Sequence, residues 1–437
     1  MKTLTPIVFC TLITVAGFGA AASAPAQEGM YASPERMAER IQALSQYGAN
    51  PEGGVSRVAF SEADLAGREY IKALMRDAGL DVRVDTAGNL IGRRAGRENG
   101  APTILFGSHI DSVPGGGNYD GDVGVIGAIE VIELLNEHGI VTRHPLEVVS
   151  FTDEEGGLTG SRAMVGNLGG EALQIVSHGG MTIADGIRRV GGDPDRLDLA
   201  ARQPGELAAY VELHIEQGAI LDETDIDIGV VEGIVGIRWW DVTVEGMANH
   251  GGTTPMDRRR DALVAAAELT LAINRVAREL EGRQVATVGR IQAFPGAPNV
   301  VPGKVMMSLE IRDLDAAKMQ HVFDLIEVEA RRIAEGNATP IEFLELDAAA
   351  VPAPTDVRLR DIIERAADEL DLSYQRMPSG AGHDAQALAK IAPIGMIFVP
   401  SVGGISHSPR EFTSAQDMAN GAGVLLRTVL AIDGGAL

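Results

Sequence analysis

Residues 107–124 read GSHIDSVPGGGNYDGDVG, and residues 151–157 read FTDEEGG. Each follows an apolar run of strand character, PTILF before the first and LEVVS before the second. One histidine and a crowd of carboxylates are thus gathered in glycine-rich turns. Like charges that close repel and raise one another's pKa unless something cationic sits among them. A divalent metal is the natural candidate, and the rest of the chain can be searched for the remaining ligands.

Outward from these turns, the pattern from about Ser33 to His214 alternates helices with short apolar strands. PERMAERIQALSQYG has Pro34 in its first turn and Gly48 as its stop, EADLAGREYIKALMRDAGL is closed by Gly79, and GVIGAIEVIELLNEHG by Gly139. PTILFGSH, LEVVSFTDEE and AAYVELHIEQG read as buried strands. Such alternation predicts α/β layers around a largely parallel sheet. The rhythm changes near Gly229. The strand GIRWWDVTVEG, a helix over Asp261–Glu281, strands VATVGRIQAF and KVMMSLEIRDLD, a helix over Asp315–Ala334 and a strand PIEFLEL follow in order. In the first helix Leu263, Ala266, Thr270, Ile273, Ala277 and Leu280 recur at helical spacing, and in the second Met319, Val322, Phe323, Ile326, Ala330 and Ile333 do so. The order β-α-β-β-α-β is that of the ferredoxin-like split unit. After the Ala/Pro stretch DAAAVPAP the α/β rhythm returns, with a helix from Asp356 to Leu370, the strand IGMIFVP and a closing helix ending near Leu430. The expected division is 27–228 and 348–437 for a catalytic domain, interrupted by an insert over 229–347.

Composition narrows the function classes. A chain of 437 residues exceeds one ordinary domain, and 45% hydrophobic content describes a soluble globular protein. A net charge of −24 argues against nucleic acid and anionic membrane surfaces, which reward Lys/Arg patches. Residues 1–26 read as a secretory signal peptide, with Lys2 at the start, an apolar run from Ile7 to Ala22, and cleavage expected after Ala26. An uncleaved membrane anchor is the competing reading. Cys10, the single cysteine, lies inside this leader, so the mature chain has no thiol nucleophile and no disulfide. No later apolar run is long enough to span a bilayer. An exported, periplasmic destination is thereby expected, with no membrane association after cleavage.

In an open α/β sheet, ligands bind beyond the carboxyl ends of the strands. His109, Asp120, Glu154, Glu155, His214 and His407 all follow strand ends. Taken alone, each has an ordinary structural explanation; their convergence from four strand ends points to a metal site. Imidazoles with carboxylates suit Zn2+ or another first-row ion. Neighbouring Glu154 and Glu155 cannot point the same way from an extended segment, so one can bind metal while the other faces substrate. Two ions lower the pKa of a water between them, and a carboxylate outside their shell takes its proton. The glycine runs lack GK[ST], which argues against a phosphate-binding P-loop.

The motifs GSHIDSVPGGGNYDGDVGVIGAIEVI, FTDEEG, ELHIEQG, HGGTTPMDRRRDA, NVVPGKV…EIRD, SGAGHDAQALA and GGISHSPREFT resemble the amidase/hydantoinase/carbamoylase branch of the dinuclear zinc amidohydrolases and peptidases. The resemblance spans the whole mature chain in order. It implies a catalytic domain with an inserted ferredoxin-like lid and dimerisation domain, hence a homodimer. It implies two divalent ions per subunit, Zn2+ first, with Mn2+, Co2+ or Ni2+ tolerated by the same ligands. His109, Asp120 and His214 would hold one ion and Asp120, Glu155 and His407 the other, with Glu154 as general base. From the insert, His250 would stabilise the oxyanion, while Asn299 and Arg312 would clamp a substrate carboxylate. Gln217, Gly382 and His383 would also face the substrate. The resemblance implies hydrolysis of linear ureido or amide bonds in small carboxylate-bearing molecules such as N-carbamoyl-L-amino acids or allantoate. An aminopeptidase or dipeptidase is disfavoured by His214, because the peptidase branches usually carry an acidic ligand there; a periplasmic binding protein without catalysis is the alternative from another class. Two departures stand out: Gly251 replaces the usual alanine, and the leader contrasts with relatives that are typically cytoplasmic.

Overall fold

The computed structural model describes residues 29–346 and 350–437; the leader expected over 1–26 and the boundary expected at 347/348 lie outside the described residues. A nine-stranded sheet forms the scaffold. Its centre is four parallel strands in the order Leu146–Phe151, Thr103–His109, Leu207–Ile215 and Ile394–Val399. Three of these strands are buried along their whole length, as continuous apolar runs covered on both faces must be. One face carries Leu105, Val149, Phe151, Tyr210, Met396 and Phe398, packed with Met164, Ala385 and Leu388 from short helices. The opposite face is covered by helices Asp122–Glu137 and Ala415–Asp433, which approach closely enough for Gly127 and Gly421 to meet Leu213. Helix Pro34–Leu44 packs on both.

The edges of this sheet were not read from sequence. Asp81–Val84 and Leu90–Arg94 form an antiparallel hairpin closed by Asp85, whose Oδ1 accepts from the Ala87 and Asn89 amides. Tyr374–Ser379 runs parallel to Ile228–Ile234. Since Ile228–Ile234 also pairs with Ile394–Val399, the change of sheet falls at Val235, a few residues beyond Gly229.

The second sheet is wholly antiparallel, with Ile291–Phe294 beside Lys304–Asp313, then Gly236–Glu245, then Ile341–Glu345. That order is the split βαββαβ arrangement. The stretch read as one strand, VATVGRIQAF, is two: the four steps from Thr287 to Ile291 oppose three from Glu310 to Met307, so one extra residue bulges out. Trp240, Val242, Val244, Val305, Met307, Leu309 and Ile311 bury one face under helices Ala262–Glu279 and Ala316–Asn337. The second helix presents Met319, Val322, Ile326, Ala330 and Ile333, as its spacing predicts. The first is rotated from the expected face. It buries Ala262, Ala265, Ala266, Leu269, Ala272 and Ile273, and leaves Leu263 39% exposed, because the small alanines let the helix sit closest to the sheet.

One buried cation fixes where the metal-side loops begin. Arg57, 1% exposed, pairs with Asp122 at the start of helix Asp122–Glu137. Its remaining donors reach the carbonyls of Ile110 (2.6 Å), Leu44 and Tyr47 (both 3.0 Å). Removing one member of a buried ion pair leaves its partner's charge uncompensated, typically costing about 3–5 kcal/mol. Arg57→Ala is therefore expected to lower the unfolding free energy by about that amount in urea titration. A loss below about 1 kcal/mol would show the pair to be dispensable.

Candidate metal centre

Two imidazoles are built as ligands before any ion is considered. His109 ends its strand with Nδ1 3.0 Å from the Asp111 carbonyl, and His214 has Nδ1 2.9 Å from the Ile215 carbonyl. A carbonyl only accepts, so both rings carry their proton on Nδ1 and turn the Nε2 lone pair inward. Both Nε2 atoms are buried and, among the described residues, have no hydrogen-bond partner. Buried polar atoms are rarely left so. Gly121 makes the geometry possible: at φ +68° it lies against the His109 ring, and a Cβ there would sit 2.5 Å from Nε2.

Asp120 lies between these rings and His407. Its Oδ1 is 3.2 Å from His214 Nε2 and 3.6 Å from His109 Nε2, while Oδ2 is 3.3 Å from His407 Nε2. Glu155 Oε2 stands 3.4 Å from the same His407 nitrogen. Glu154 diverges from its neighbour, with Oε2 3.7 Å from His109 Nε2. Two three-residue groups therefore converge, His109–Asp120–His214 and Asp120–Glu155–His407, each with ligand atoms within 4.8 Å of one another. Asp120 is shared, one oxygen to each side. The donor set and the orphaned Nε2 atoms fit two first-row divalent ions.

The negative charge gathered here must be met by protons or by a cation. Burial pushes the Glu154 carboxyl well up, with Asp384 adding to it against His109, and pushes Glu155 up to about 7. Burial opposes ionisation of Asp120 too, but the His109 and His214 imidazoles hold it well below the usual carboxylate range. Hydrogen bonding to Asp120 raises His407 to about 9. Protons on the imidazoles thus supply the charge that a metal would bring and displace.

The other expected residues fall in three places. Gln217 turns towards the cluster, its Nε2 donating to Asp120 Oδ2 at 2.6 Å, so its amide contacts a ligand and not open substrate space. His383 is 1% exposed, stacked edge-on to His214 with centroids 4.5 Å apart, and bonded through Nε2 to Ser379 Oγ at 2.8 Å; burial beside His214 keeps it neutral, while Gly382 next to it is exposed. His250 pairs with Val300 on a short two-stranded ladder, Asn299 lies just before that strand with its carbonyl accepting from the Gly251 amide, and both His250 and Asn299 are exposed. Among the described residues neither is hydrogen-bonded to the cluster. His250 Nδ1 accepts from the Gly252 and Thr253 amides, which leaves Nε2–H as a free donor. Gly251 has a reason: a Cβ would lie 2.8 Å from the Asn299 carbonyl. Arg312 is held by Glu310 through two bonds of 3.0 and 3.1 Å, and donates to the Gly380 carbonyl at 2.7 Å.

Asp111 escaped the sequence reading. Its carboxylate accepts from the Glu154 and Glu155 amides, both at 3.2 Å, while its carbonyl orients His109. It thereby ties two strand ends together. The available signal was its place two residues after His109 in a segment that is still extended.

Chelator-stripped protein is expected to gain about 2.7 kcal/mol of stability at free Zn2+ or Mn2+ 100-fold above Kd, read as a rise in Tm. Gly121→Ala, which forces the His109 ring away, should remove most of that rise. A wild-type Tm indifferent to both ions would mean that the cluster holds no metal.

With this geometry in hand, comparison with known proteins places the chain. Residues 105–431 match peptidase family M20/M25/M40. An N-carbamoyl-L-amino acid amidohydrolase of Geobacillus stearothermophilus is 44% identical over 400 residues, 90% of this chain and 97% of that protein. An allantoate amidohydrolase of Escherichia coli is 36% identical over 393 residues, 89% of this chain and 95% of that protein. The crystal structure of an amidase of the hydantoinase/carbamoylase family from Burkholderia multivorans superposes with a TM-score of 0.85 at 37% identity, over 92% of this chain and 98% of that one. The parallel sheet with its separate antiparallel unit, the converging ligands and these relatives agree: the chain belongs to peptidase family M20/M25/M40, in its hydantoinase/carbamoylase amidase branch, and is a hydrolase of carbon–nitrogen bonds other than peptide bonds.

Proposed function

We propose that this protein is an exported, dinuclear metal-dependent amidohydrolase that cleaves the ureido or amide bond of a small carboxylate-bearing substrate, such as an N-carbamoyl-L-amino acid or allantoate. The observation that carries the reading is the divergence of Glu154 from Glu155. One faces His407 as a ligand does, and the other stands beside His109, 9% exposed, its carboxylate in no hydrogen bond that holds the fold among the described residues. Bound at the two groups, a pair of divalent ions, Zn2+ first, supplies Lewis acidity towards water and the substrate carbonyl. Glu154 Oε2 accepts a proton from the attacking water and returns it to the leaving nitrogen, and the burial that raises its pKa makes it a stronger base for that role. His250 Nε2–H, set by its Nδ1 contacts, donates to the oxyanion. Asn299 beside it and Arg312 recognise the substrate carboxylate.

His250 and Asn299 reach the cluster by closure of the insert or from a neighbouring subunit. A homodimer through the insert is supported by its exposed apolar residues: Leu271 on helix Ala262–Glu279 is 72% exposed, and Val285 and Ile291 on the sheet edge are each 49% exposed. An uncapped edge of this kind invites pairing with another strand. The export proposal rests on the leader and predicts a secreted form beginning at Gln27, which N-terminal sequencing of protein recovered from the periplasm would check. Nucleic acid and membrane are not expected partners at this net charge.

The activity test is ammonia or amine release from metal-loaded protein, offered N-carbamoyl-L-amino acids, allantoate, N-acetyl-amino acids and dipeptides. Ureido substrates are expected to release ammonia, and Glu154→Gln to lower kcat by about 10²–10⁴-fold while ion binding persists. Turnover of dipeptides alone would overturn the substrate class, and absence of any metal-dependent turnover would favour a binding protein.

A further inference from the structure

The proposed centre draws its two halves from loops far apart in sequence, and one buried carboxylate joins those loops. Glu411, 4% exposed, accepts through Oε1 from the amides of Tyr119 (2.9 Å) and Asp120 (3.0 Å). Through Oε2 it accepts from Ser406 Oγ (2.9 Å) and the His407 amide (3.2 Å). Ser406 Oγ lies 3.0 Å from Asp120 Oδ2 as well. One side chain thus grips the backbone of the shared carboxylate and of His407, from loops nearly 300 residues apart.

The sequence makes room for it. Gly117, in the glycine run 115–117, has Glu411 lying where its side chain would be: a Cβ would sit 2.0 Å from Oε1. His407 also needs holding. It is left-handed at φ +51°, a conformation that costs a non-glycine residue energy and persists only where the surroundings enforce it. Its side chain is 49% exposed, whereas His109 and His214 are 1% exposed and held by carbonyls within their own strand ends.

Resting on the dinuclear reading above, we infer that Glu411 is the positioning residue of the His407-side ion, clamping Asp120 and His407 at the separation at which both can share it. It touches neither ion nor substrate. The amide of Gln would turn an NH2 group against N–H or O–H donors, so isosteric replacement breaks the clamp on one side. Outer partners of metal ligands typically carry 10–100-fold in metal affinity. The His109–Asp120–His214 group loses no contact of its own imidazoles and keeps its ion.

The test is calorimetric titration of the chelator-stripped full chain with Mn2+ and, separately, Zn2+. Wild type is expected to bind two ions. E411Q should bind one with wild-type affinity and the other about 10–100-fold more weakly, and E411D, which keeps the charge but reaches only one loop, should fall between. A residue that served only general packing would weaken both ions or neither. Two ions bound equally by wild type and E411Q would overturn the clamp and leave the dinuclear reading standing. An unchanged second ion in E411D would do the same should E411Q not fold. No ion bound by wild type would overturn both.

Discussion

Asp111, Asp120, Asp122, Glu154 and Glu411 crowd one edge of the parallel sheet, none more than 9% exposed. Burying an ionised carboxylate costs several kcal/mol unless charge or hydrogen bonds replace its water. The local fold is organised around meeting that cost, residue by residue. Asp122 has Arg57. Asp111 has the two amides of the 154–155 turn, and Glu411 has three amides and a hydroxyl. What is left over is Asp120, Glu154 and Glu155, facing three Nε2 atoms. The remaining negative charge is answered by protons or by divalent cations, and only the second leaves the imidazoles neutral as ligands must be. Asp111, Asp122 and Glu411, met by amides or by a guanidinium, hold the frame, whereas Asp120, Glu154 and Glu155 face the imidazole nitrogens.

This division explains what could be read from sequence. Strands Thr103–His109, Leu146–Phe151, Leu207–Ile215 and Ile394–Val399 are legible because burial on both faces makes them unbroken apolar runs, and the ligands follow from their ends. The split antiparallel unit is legible from its order of elements. The edge strands are not: Asp81–Val84 is short, charged and nowhere buried, Leu90–Arg94 ends in two half-buried arginines, and the two are joined as a hairpin by their pairing. Asp111 and Glu411 were visible only as further acids among many, since sequence does not say which carboxylate will meet amides. The side-chain contacts of Gln217 with Asp120 and of His383 with Ser379 and His214 are not legible either, because the direction of a side chain within a loop is set by backbone dihedrals, such as the φ of +58° at Gln217.

The insert poses a different question for the proposed function, how a carboxylate-bearing substrate would be recognised by a guanidinium that already has a carboxylate. Glu310 and Arg312 lie two residues apart on one strand, so their side chains share a face of the sheet. Glu310 takes Arg312 Nε and Nη2 and also accepts from Trp239 Nε1, while Nη1 goes to the Gly380 carbonyl. A substrate carboxylate meeting this fork must displace Glu310 from one prong or the Gly380 carbonyl from the other. Either exchange replaces one charge-assisted bond with another, so the net gain is a difference, not the full strength of a bidentate pair. Gly380 belongs to the loop that carries Gly382 and His383, so exchange at Nη1 also frees that loop from the insert. Under the proposed function, Arg312 would couple recognition of the carboxylate to the contact that it makes with the Gly380 carbonyl, and the strength of binding would be set against the bonds to Glu310 and Gly380.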